Sequence, residues 1–293
     1  MPGSSSSNDN GRSLEYLITD YLASKKGAEL TPRAQADQSR DVETVSRIDQ
    51  LLRKSFSKSA KVIVPWILSE IKYTDGNRFL VDRRPDADPG VADLTISKGS
   101  RALQVSVKHN HDALSHPRPY SLADAMGLNG VAIELDHRKR LDTATRLFRT
   151  AAGGATEFSE VPSAKLKLYQ SVCDECAKTV NSVNSNSDAA KTLFEFLVGF
   201  DFKKVIVRTN RSTRSLVSIE VADYSRIGKP QSVVASVDHR PRASSLILEF
   251  DNGWIIDLRI KNASTRISSS GQVSLKFDAQ KKAGTIPPVL YLL

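Results

Sequence analysis

The chain has 293 residues, of which 40% are hydrophobic, and a formal net charge of +9. This amount of apolar material can build one large domain or two ordinary ones. The composition excludes a membrane-spanning helix, because no run of about 18 apolar residues occurs, and two cysteines are too few for the disulfide framework of a secreted protein. We expect a globular, cytoplasmic protein with no membrane partner, whose polar residues 1–10 are disordered.

The basic residues are concentrated in the last third of the chain. Residues 202–293 contain 15 lysines and arginines but 7 aspartates and glutamates. Such an excess attracts polyanions such as nucleic acids, although basic residues also serve simply to solubilise a surface. A membrane surface is a weaker alternative, since no basic amphipathic helix stands out.

The spacing of apolar residues predicts helices first, then strands, and then helices and strands again. The first helix covers 14–26, and Gly27 ends it; its apolar stripe, at helical spacing, consists of Leu14, Leu17, Ile18, Tyr21 and Leu22. Further helices are predicted at 41–57, 61–72, 138–151 and 163–182, and from Ser187, as N-cap, to about Gly199. Strands are predicted at 76–84, 91–97, 101–108, 203–209, 215–222, 245–250, 253–260 and 272–278. This order indicates an α/β or α+β core followed by a β-rich extension.

The predicted helix 163–182 carries both cysteines on one apolar stripe. The stripe has heptad-like spacing and consists of Leu166, Tyr169, Cys173, Cys176 and Val180. A CxxC pair can bind a metal or act in redox chemistry, but no second ligand pair accompanies this one. We therefore interpret the two cysteines as packing residues.

Two neighbouring predicted strands bring polar side chains to the same face. Since alternate residues of a strand face the same side, the strand 101–108 directs Gln104, Ser106 and Lys108 away from the core. The preceding strand directs Asp93 in the same way. If the two strands pair as a hairpin, Asp93 and Lys108 meet.

A carboxylate beside a lysine suits metal-dependent hydrolysis of a phosphodiester. The carboxylate holds a hard cation such as Mg²⁺, which polarises the phosphate and lowers the pKa of a bound water. The lysine orients that water or stabilises the developing charge. The same two residues also form ordinary surface ion pairs, so the pair alone does not decide between the two interpretations.

The segment that follows Lys108 is rich in histidine. His109, His111 and His116 lie with Arg118 where the chain leaves the predicted site, and phosphate contacts would be useful there. A zinc site is an alternative, although the spacing has no recognised ligand order. An HNH nuclease is excluded, because that name denotes widely spaced residues and the letters here are consecutive.

The stretch "LQVSVKHNHDALSHPRP" resembles the core motif of the HaeIII-type restriction endonucleases, in which a strand ending in (I/V)KHNH is followed by a His and an Arg. The stretches "GRSLEYLI" at 11–18 and "GWIIDLRIKNASTRISSSGQVSLKFD" at 253–278 are similar to the N-terminal helix and the C-terminal region of that family. The resemblance implies a type II restriction endonuclease of the PD-(D/E)XK superfamily, which cleaves double-stranded DNA at GGCC with Mg²⁺.

The resemblance also implies an organisation of the chain. A mixed sheet flanked by helices would form a helix-rich nuclease core at 11–200, with the catalytic strands at 78–108. A β-rich basic region at 201–293 would pack on the core and bind DNA. Palindromic sites are commonly read by two-fold symmetric dimers, so a homodimer is expected, with a monomer that nicks twice as the alternative. A cognate DNA methyltransferase would act on the same site without necessarily binding the protein.

Carried over to this sequence, the resemblance makes Asp93 the metal-binding aspartate and Lys108 the lysine of the (D/E)XK half-motif. The position two before the lysine is Ser106, so the usual second metal ligand is missing there. Our first candidate to replace it is Glu15 on the first helix, although a glutamate there also pairs with the helix dipole. The other candidates are Asp112, Asp124, Glu70 and the amide oxygen of Gln104.

The predicted DNA-binding residues come from the histidine segment and from the basic last third. They are His109, Asn110, His111, His116, Arg118 and Arg259. A G·C-rich site favours arginines that bind guanine O6 and N7; further candidates are Arg208, Arg211, Arg214, Arg240, Arg242 and Arg266. Two rival hypotheses remain: a PD-(D/E)XK nuclease of DNA repair or recombination, and a non-catalytic DNA-binding protein that has lost its second acid.

Overall fold

The computed structural model describes residues 7–74, 78–83, 92–112, 114–269, 273–285 and 287–293. These residues form two compact units, each assembled from separate parts of the chain. The first unit draws on Met1–Asp112, Gly199–Ile227 and Pro287–Leu293, and the second on Ala113–Val198 and Gly228–Ile286.

The first unit is built around a mixed seven-stranded sheet. In spatial order its strands are β1 (Glu29–Leu30), β2 (Leu80–Arg83), β3 (Leu94–Lys98), β4 (Arg101–His109), β5 (Lys203–Thr209), β6 (Leu216–Asp223) and β11 (Val289–Tyr291). β4 and β5 run parallel, as do β1 and β2, and the other neighbours are antiparallel. A mixed sheet accompanied by helices agrees with the predicted restriction-endonuclease-like fold.

The described residues of the first unit form three α-helices: α1 (Ser7–Lys26), α2 (Pro32–Arg47) and α3 (Gln50–Glu70). In the predicted stripe of α1, Leu14, Ile18 and Leu22 are fully buried and share one core with the valines of β4, and Leu17 and Tyr21 are partly buried against that core. Each such side chain contributes about 1.5–3 kcal/mol through burial. The predicted end of this helix is confirmed, since Gly27 has a φ of 69°, the left-handed conformation that glycine adopts after helices.

The boundary between α2 and α3 differs from the predicted helices at 41–57 and 61–72. Ile48 is extended, and the Asp49 carboxylate caps α3 by accepting hydrogen bonds from the backbone N–H groups of Leu51 and Leu52, at 2.9 and 3.0 Å. From there α3 continues without a break past Pro65 to Glu70. The predicted break between residues 57 and 61 is wrong, because the capping side chain of Asp49 sets the boundary between the two helices.

The second unit contains an antiparallel four-stranded sheet and four helices within the described residues. The strands, in spatial order, are β10 (Leu275–Ala283), β9 (Ile255–Asn262), β8 (Ala243–Phe250) and β7 (Val233–Arg240). The helices are α4 (Leu122–Ala125), α5 (Ala132–Ala152), α6 (Pro162–Asn181) and α7 (Ser187–Leu197). The N-cap of α7 is Asn186 and not Ser187, because the Asn186 side chain accepts hydrogen bonds from two backbone N–H groups.

The cysteines of α6 are both free and buried, which agrees with a packing role. Burial raises the pKa of Cys173 to about 12 and raises that of Cys176 well above its usual value. Neither thiol is available as a thiolate at neutral pH, and thiolates are the form that binds metals and reacts.

The predicted division at residues 200 and 201 does not coincide with the observed units. β5, β6 and β11 join the sheet of β4, whereas α4–α7 group with β7–β10. The physical reason is the parallel ladder between β4 and β5, which joins residues nearly 100 positions apart. Of the ten residues predicted to be disordered, 7–10 are helical, and 1–6 lie outside the described residues. No helix in the described part of the chain is long and apolar enough to cross a membrane.

Candidate active site

The β3–β4 hairpin positions Asp93 opposite Ser106. Gly99, with a φ of 57°, lies in the turn, and the last pair of the ladder is Leu94 with Val105. The backbone N–H of Asp93 donates to the carbonyl of Val105 at 2.9 Å. β4 continues beyond this point to His109, and its last residues pair with β5 on the other side.

The Asp93 carboxylate is fixed by three groups of β4. Its Oδ2 atom accepts hydrogen bonds from Ser106 Oγ at 3.0 Å and from the backbone N–H of Val107 at 2.6 Å. The Nζ of Lys108 lies 3.2 Å from the same atom. Ser106 is fully buried, whereas Asp93 and Lys108 are partly exposed. The alternation of β4 therefore brings the aspartate and the lysine together as predicted, and the serine supports the aspartate from below.

Gln104 lies on the same face but further from the strand end, where it pairs in register with Thr95 of β3. It is partly buried. The separation of four residues places it away from Lys108 along the strand. Its predicted contact with metal or water is untested.

Glu15 of α1 lies within electrostatic reach of this carboxylate–lysine pair. Burial raises the pKa of Glu15 to about 7, and the negative charge of Asp93 acts in the same direction, while Arg83 and Lys108 oppose both effects. Its Oε2 atom accepts a hydrogen bond from Arg83 Nη2 at 2.9 Å. A raised pKa means that the surroundings disfavour the ionised form of this carboxylate, and a cation bound nearby would stabilise that form.

The three other carboxylates considered as substitutes have different surroundings. Asp112 pairs with Lys204 at 2.6 Å, and Glu70 is exposed at the last position of α3. Asp124 belongs to the second unit, where it pairs with Arg138 at 3.2 Å. The pKa of Glu15, by contrast with these local pairings, responds to both Asp93 and Lys108.

Sequence reasoning missed Arg83, the last residue of β2. Its guanidinium is almost fully buried and donates to Glu15 at 2.9 Å, to Asp41 of α2 at 2.8 Å and to Gln38 at 3.0 Å. This network ties α1 and α2 to the sheet beside Asp93. The available signal was the alternation of β2, which places Arg83 on the same face as buried Val81.

A second lysine was also missed. Lys204 of β5 pairs in register with Ser106, is buried, and lies 2.6 Å from Asp112 Oδ1 and 3.3 Å from the Tyr224 hydroxyl. Burial lowers the pKa of Lys204, and Asp112 opposes that effect. The charge of Lys204 therefore adds to the positive potential around Asp93.

His109 and Asn110 have partners inside the first unit. The Nε2 of His109 lies 2.8 Å from Thr209 Oγ1, and its ring contacts Phe56 edge-on, with centroids 4.9 Å apart. Burial, with the charges of His111 and Arg214, lowers the pKa of His109 to about 4, so the ring is neutral. Asn110 adopts a left-handed φ of 63°, and its Oδ1 accepts from the backbone N–H of Thr209 at 2.7 Å. Both residues hold the ends of β4 and β5 together.

The remaining predicted DNA contacts are exposed. His111 is in the first unit, and His116, Arg118 and Arg259 are in the second. The Nδ1 of His116 accepts a hydrogen bond from the backbone N–H of Ala279 on β10 at 2.9 Å, which fixes its position along that strand.

The oxygen donors around Asp93 fit a hard divalent cation. Asp93 Oδ1 contacts Lys108 Nζ at a long 3.5 Å, and Glu15 Oε1 has no hydrogen-bond partner in the described part of the chain. Mg²⁺ is usually held by one or two carboxylates and completed by waters and substrate phosphates. Among the described residues, no three acidic, histidine or cysteine side chains could enclose a metal. The donor set is therefore that of an open site, in which a phosphate would complete the coordination.

Comparisons with known proteins give one match. The family model for the HaeIII restriction endonuclease matches residues 39–283. The matched range includes Asp93, Ser106 and Lys108 but not Glu15. No curated protein and no solved structure matches the chain significantly. Restriction endonucleases of this kind act on DNA and generally use a divalent metal ion. Because the match covers most of the chain, the protein belongs to the HaeIII restriction endonuclease family.

Proposed function

We propose that the protein is a type II restriction endonuclease that cleaves double-stranded DNA at a short palindromic site, GGCC, with Mg²⁺ as cofactor. The main support is the contact of Lys108 Nζ with Asp93 Oδ2 at 3.2 Å, where β4 extends beyond its pairing with β3. The GGCC site is supported by the family resemblance alone.

Two carboxylates would hold the cation. Glu15 Oε1 has no hydrogen-bond partner in the described residues, and Asp93 Oδ1 has only the long contact of 3.5 Å with Lys108 Nζ. When bound, Mg²⁺ would polarise the scissile phosphate and lower the pKa of a water. Arg83 keeps Glu15 turned toward the sheet, and Ser106 with the backbone of Val107 holds Asp93 in one orientation. Ser106 thus acts as a positioning residue.

Lys108 would act directly on the reacting groups. Its Nζ is partly exposed, and beyond its contacts with Asp93 it has N–H bonds left to donate. Donation to the attacking water orients that water toward phosphorus, and donation to a phosphate oxygen stabilises the charge that develops there. The neighbouring charge of Lys204 reinforces this stabilisation without contact with the substrate.

The exposed side chains of His111, His116, Arg118 and Arg259 are proposed DNA contacts. For His109 and Asn110 no observation tests a DNA contact, and their present partners are Thr209 and Phe56. We further propose a homodimer for a two-fold symmetric site, a cytoplasmic location, and a cognate methyltransferase that modifies the same sequence.

The test is digestion of a sequenced plasmid by the purified protein in Mg²⁺, followed by sequencing of the fragment ends. Discrete fragments that all end within GGCC support the proposal. A smear, or nicks that depend on DNA structure, would indicate a repair-type nuclease. An absence of cleavage with retained binding would indicate a DNA-binding protein in which Ser106 marks a lost catalytic site. The Lys108→Ala variant controls for contaminating nucleases.

A further inference from the structure

Helix α3 carries a run of cations with no acid among them. Arg53, Lys54, Lys58 and Lys61 are exposed, and the helix has no acidic residue before Glu70 at its last position. Lys54, Lys58 and Lys61 are spaced i, i+4 and i+7, so they lie on one face of the helix. Like charges at this spacing destabilise a helix by a few tenths of a kcal/mol per pair, about 0.2–0.5.

These lysines are unpaired, in contrast to the lysines of the neighbouring sheet. In the described part of the chain, the side chains of Lys54, Lys58 and Lys61 have neither a salt bridge nor a hydrogen bond. Lys203 and Lys204 on β5, by comparison, each lie 2.6 Å from an aspartate oxygen. The basic face of α3 is therefore available to an external anion.

The basic face forms one wall of a groove of about 540 Å³, lined by Lys54, Lys58, Lys61, Thr213, Arg214 and Ser215. The other wall is the turn between β5 and β6. Ser55 Oγ on α3 donates to the carbonyl of Arg214 at 2.8 Å, which fixes the turn against the helix. Within the turn, the Asn210 side chain accepts from the backbone N–H groups of Ser212 and Thr213, at 2.9 and 3.0 Å. Both walls are thus held in place before a ligand arrives.

The groove lies at the catalytic end of the sheet in the first unit. β5 runs parallel to β4, so the turn after β5 is at the same end as Lys108 and His109. His109 contacts Phe56 of α3, between Lys54 and Lys58 in sequence, and Arg214 interacts electrostatically with His109. The groove and Lys108 therefore lie at the same end of the sheet.

We infer that this groove, which we call the α3 groove, binds the sugar–phosphate backbone of duplex DNA beside the cleaved site, without regard to base sequence. Lys61 is seven residues after Lys54, a rise of about 10 Å along the helix axis. That length corresponds to roughly three phosphates of one DNA strand, at about 3.4 Å each along the duplex axis. The three lysines match this number of charges, and Arg214 on the opposite wall adds a fourth cation. The inference rests on the proposed function, since it takes DNA as the substrate.

The test compares two variants that lose the same charge. The groove variant combines Lys54→Gln, Lys58→Gln and Lys61→Gln. The control variant removes three exposed lysines that lie outside the α3 groove: Lys72→Gln, Lys139→Gln and Lys167→Gln. Binding to 30-base-pair duplexes with and without GGCC is measured by fluorescence anisotropy between 50 and 300 mM salt, without Mg²⁺ so that no cleavage occurs. Circular dichroism and thermal melting verify that both variants fold.

The groove variant is expected to bind both duplexes about 10- to 100-fold more weakly at 100 mM salt, with its salt slope reduced by about 2–3, close to 0.9 per lost phosphate contact. The preference for GGCC stays unchanged, because backbone contacts do not read bases. The control variant keeps the native slope. Lys→Arg at the three groove positions also keeps it, because the charge remains.

Three results would overturn the inference. The first is native binding by the groove variant, and the second is an equal loss in both triple variants. The third is a groove variant that loses binding to anionic phospholipid vesicles but not to DNA, because that result would assign the α3 groove to a membrane surface. Plasmid cleavage separates this inference from the proposed function. If the native protein cleaves at GGCC and the groove variant binds DNA as tightly as the native protein, only the inference about the α3 groove is refuted. If the groove variant binds DNA more weakly but the native protein does not cleave DNA, the nuclease proposal alone is refuted.

Discussion

Two lysine–aspartate pairs lie on neighbouring strands of the first unit, and they differ mainly in exposure. Lys108 and Asp93 are 26% and 23% exposed. Lys204, beside them in the sheet, is 3% exposed and is held by Asp112. The two pairs share residue types and charge, yet one lysine is accessible to a substrate and the other is enclosed. A lysine beside an aspartate therefore indicates catalysis only where the lysine can reach a ligand, and four substitutions test this distinction.

The largest effect is expected from Lys108→Ala. Loss of a group that stabilises transition-state charge lowers cleavage by about 10²–10³-fold or more, while binding to GGCC duplexes and the melting temperature change little because the side chain is partly exposed. Single-turnover cleavage and thermal melting measure the two effects. Lys98→Ala, at the other end of the same hairpin, serves as the control and should cleave normally. Full activity of purified Lys108→Ala would refute the assignment, and so would full activity of Asp93→Ala.

The next largest effect is expected from Glu15→Gln. Removal of one of the two carboxylates proposed to hold Mg²⁺ should lower cleavage by about 10–100-fold and raise the Mg²⁺ concentration needed for half-maximal rate. A Mg²⁺ titration of the cleavage rate measures both quantities. Glu70→Gln removes an exposed carboxylate on α3 and is the matched control. If Glu15→Gln left the Mg²⁺ requirement unchanged and Glu70→Gln changed it, Glu70 and not Glu15 would be the second metal ligand.

A smaller effect is expected from Ser106→Ala. The hydroxyl donates one of the bonds that hold Asp93, at 3.0 Å, and a hydrogen bond to a charged group is worth about 1.5–3 kcal/mol. We expect cleavage to fall roughly tenfold, because a barrier that is higher by about 1.4 kcal/mol lowers a rate tenfold. Ser106→Thr should largely restore cleavage, since threonine keeps the hydroxyl. Cleavage rates at saturating Mg²⁺ provide the measurement. A complete loss in Ser106→Ala would instead indicate direct participation in the chemistry.

The smallest effect on catalysis is expected from Lys204→Ala, whose main effect is on stability. Removal of a buried side chain from its pair should lower the free energy of unfolding by about 2–4 kcal/mol. Cleavage per folded molecule should change less than about fivefold, which is under 1 kcal/mol in the barrier. Urea unfolding and active-site-normalised cleavage distinguish these outcomes. Lys203→Ala, on the same strand and more exposed, should lose less stability. A catalytic loss as large as that of Lys108→Ala would remove the distinction between the two pairs.

Local patterns in the sequence predicted the centre of the site. Period-two alternation placed Lys108 and Ser106 on one face, and the short turn at Gly99 made pairing with the strand of Asp93 the natural arrangement. Helical spacing likewise identified the buried stripe of α1 and the packing role of Cys173. In these helices, as in the strand, residues close together along the chain determine which side is buried.

Contacts between distant segments were not predictable in the same way. The pairing of Ser106 with Lys204 depends on a parallel ladder across nearly 100 residues, and the bonds of Arg83 to Asp41 and Glu15 join three separate elements. No short-range periodicity records such pairings. The family resemblance, and not a local pattern, predicted Glu15, whose interaction with Asp93 depends on the packing of α1 against the sheet.

The most direct test of the account is a crystal structure of the protein with a GGCC duplex and Ca²⁺, which occupies hard-cation sites while slowing cleavage. We expect a Ca²⁺ ion bound by oxygens of Asp93 and Glu15 at about 2.3–2.6 Å, with a phosphate oxygen of the GGCC site as a further ligand and Lys108 Nζ beside it. An ion bound elsewhere, or a scissile phosphate remote from Lys108, would contradict the assignment of the active site to the end of β4.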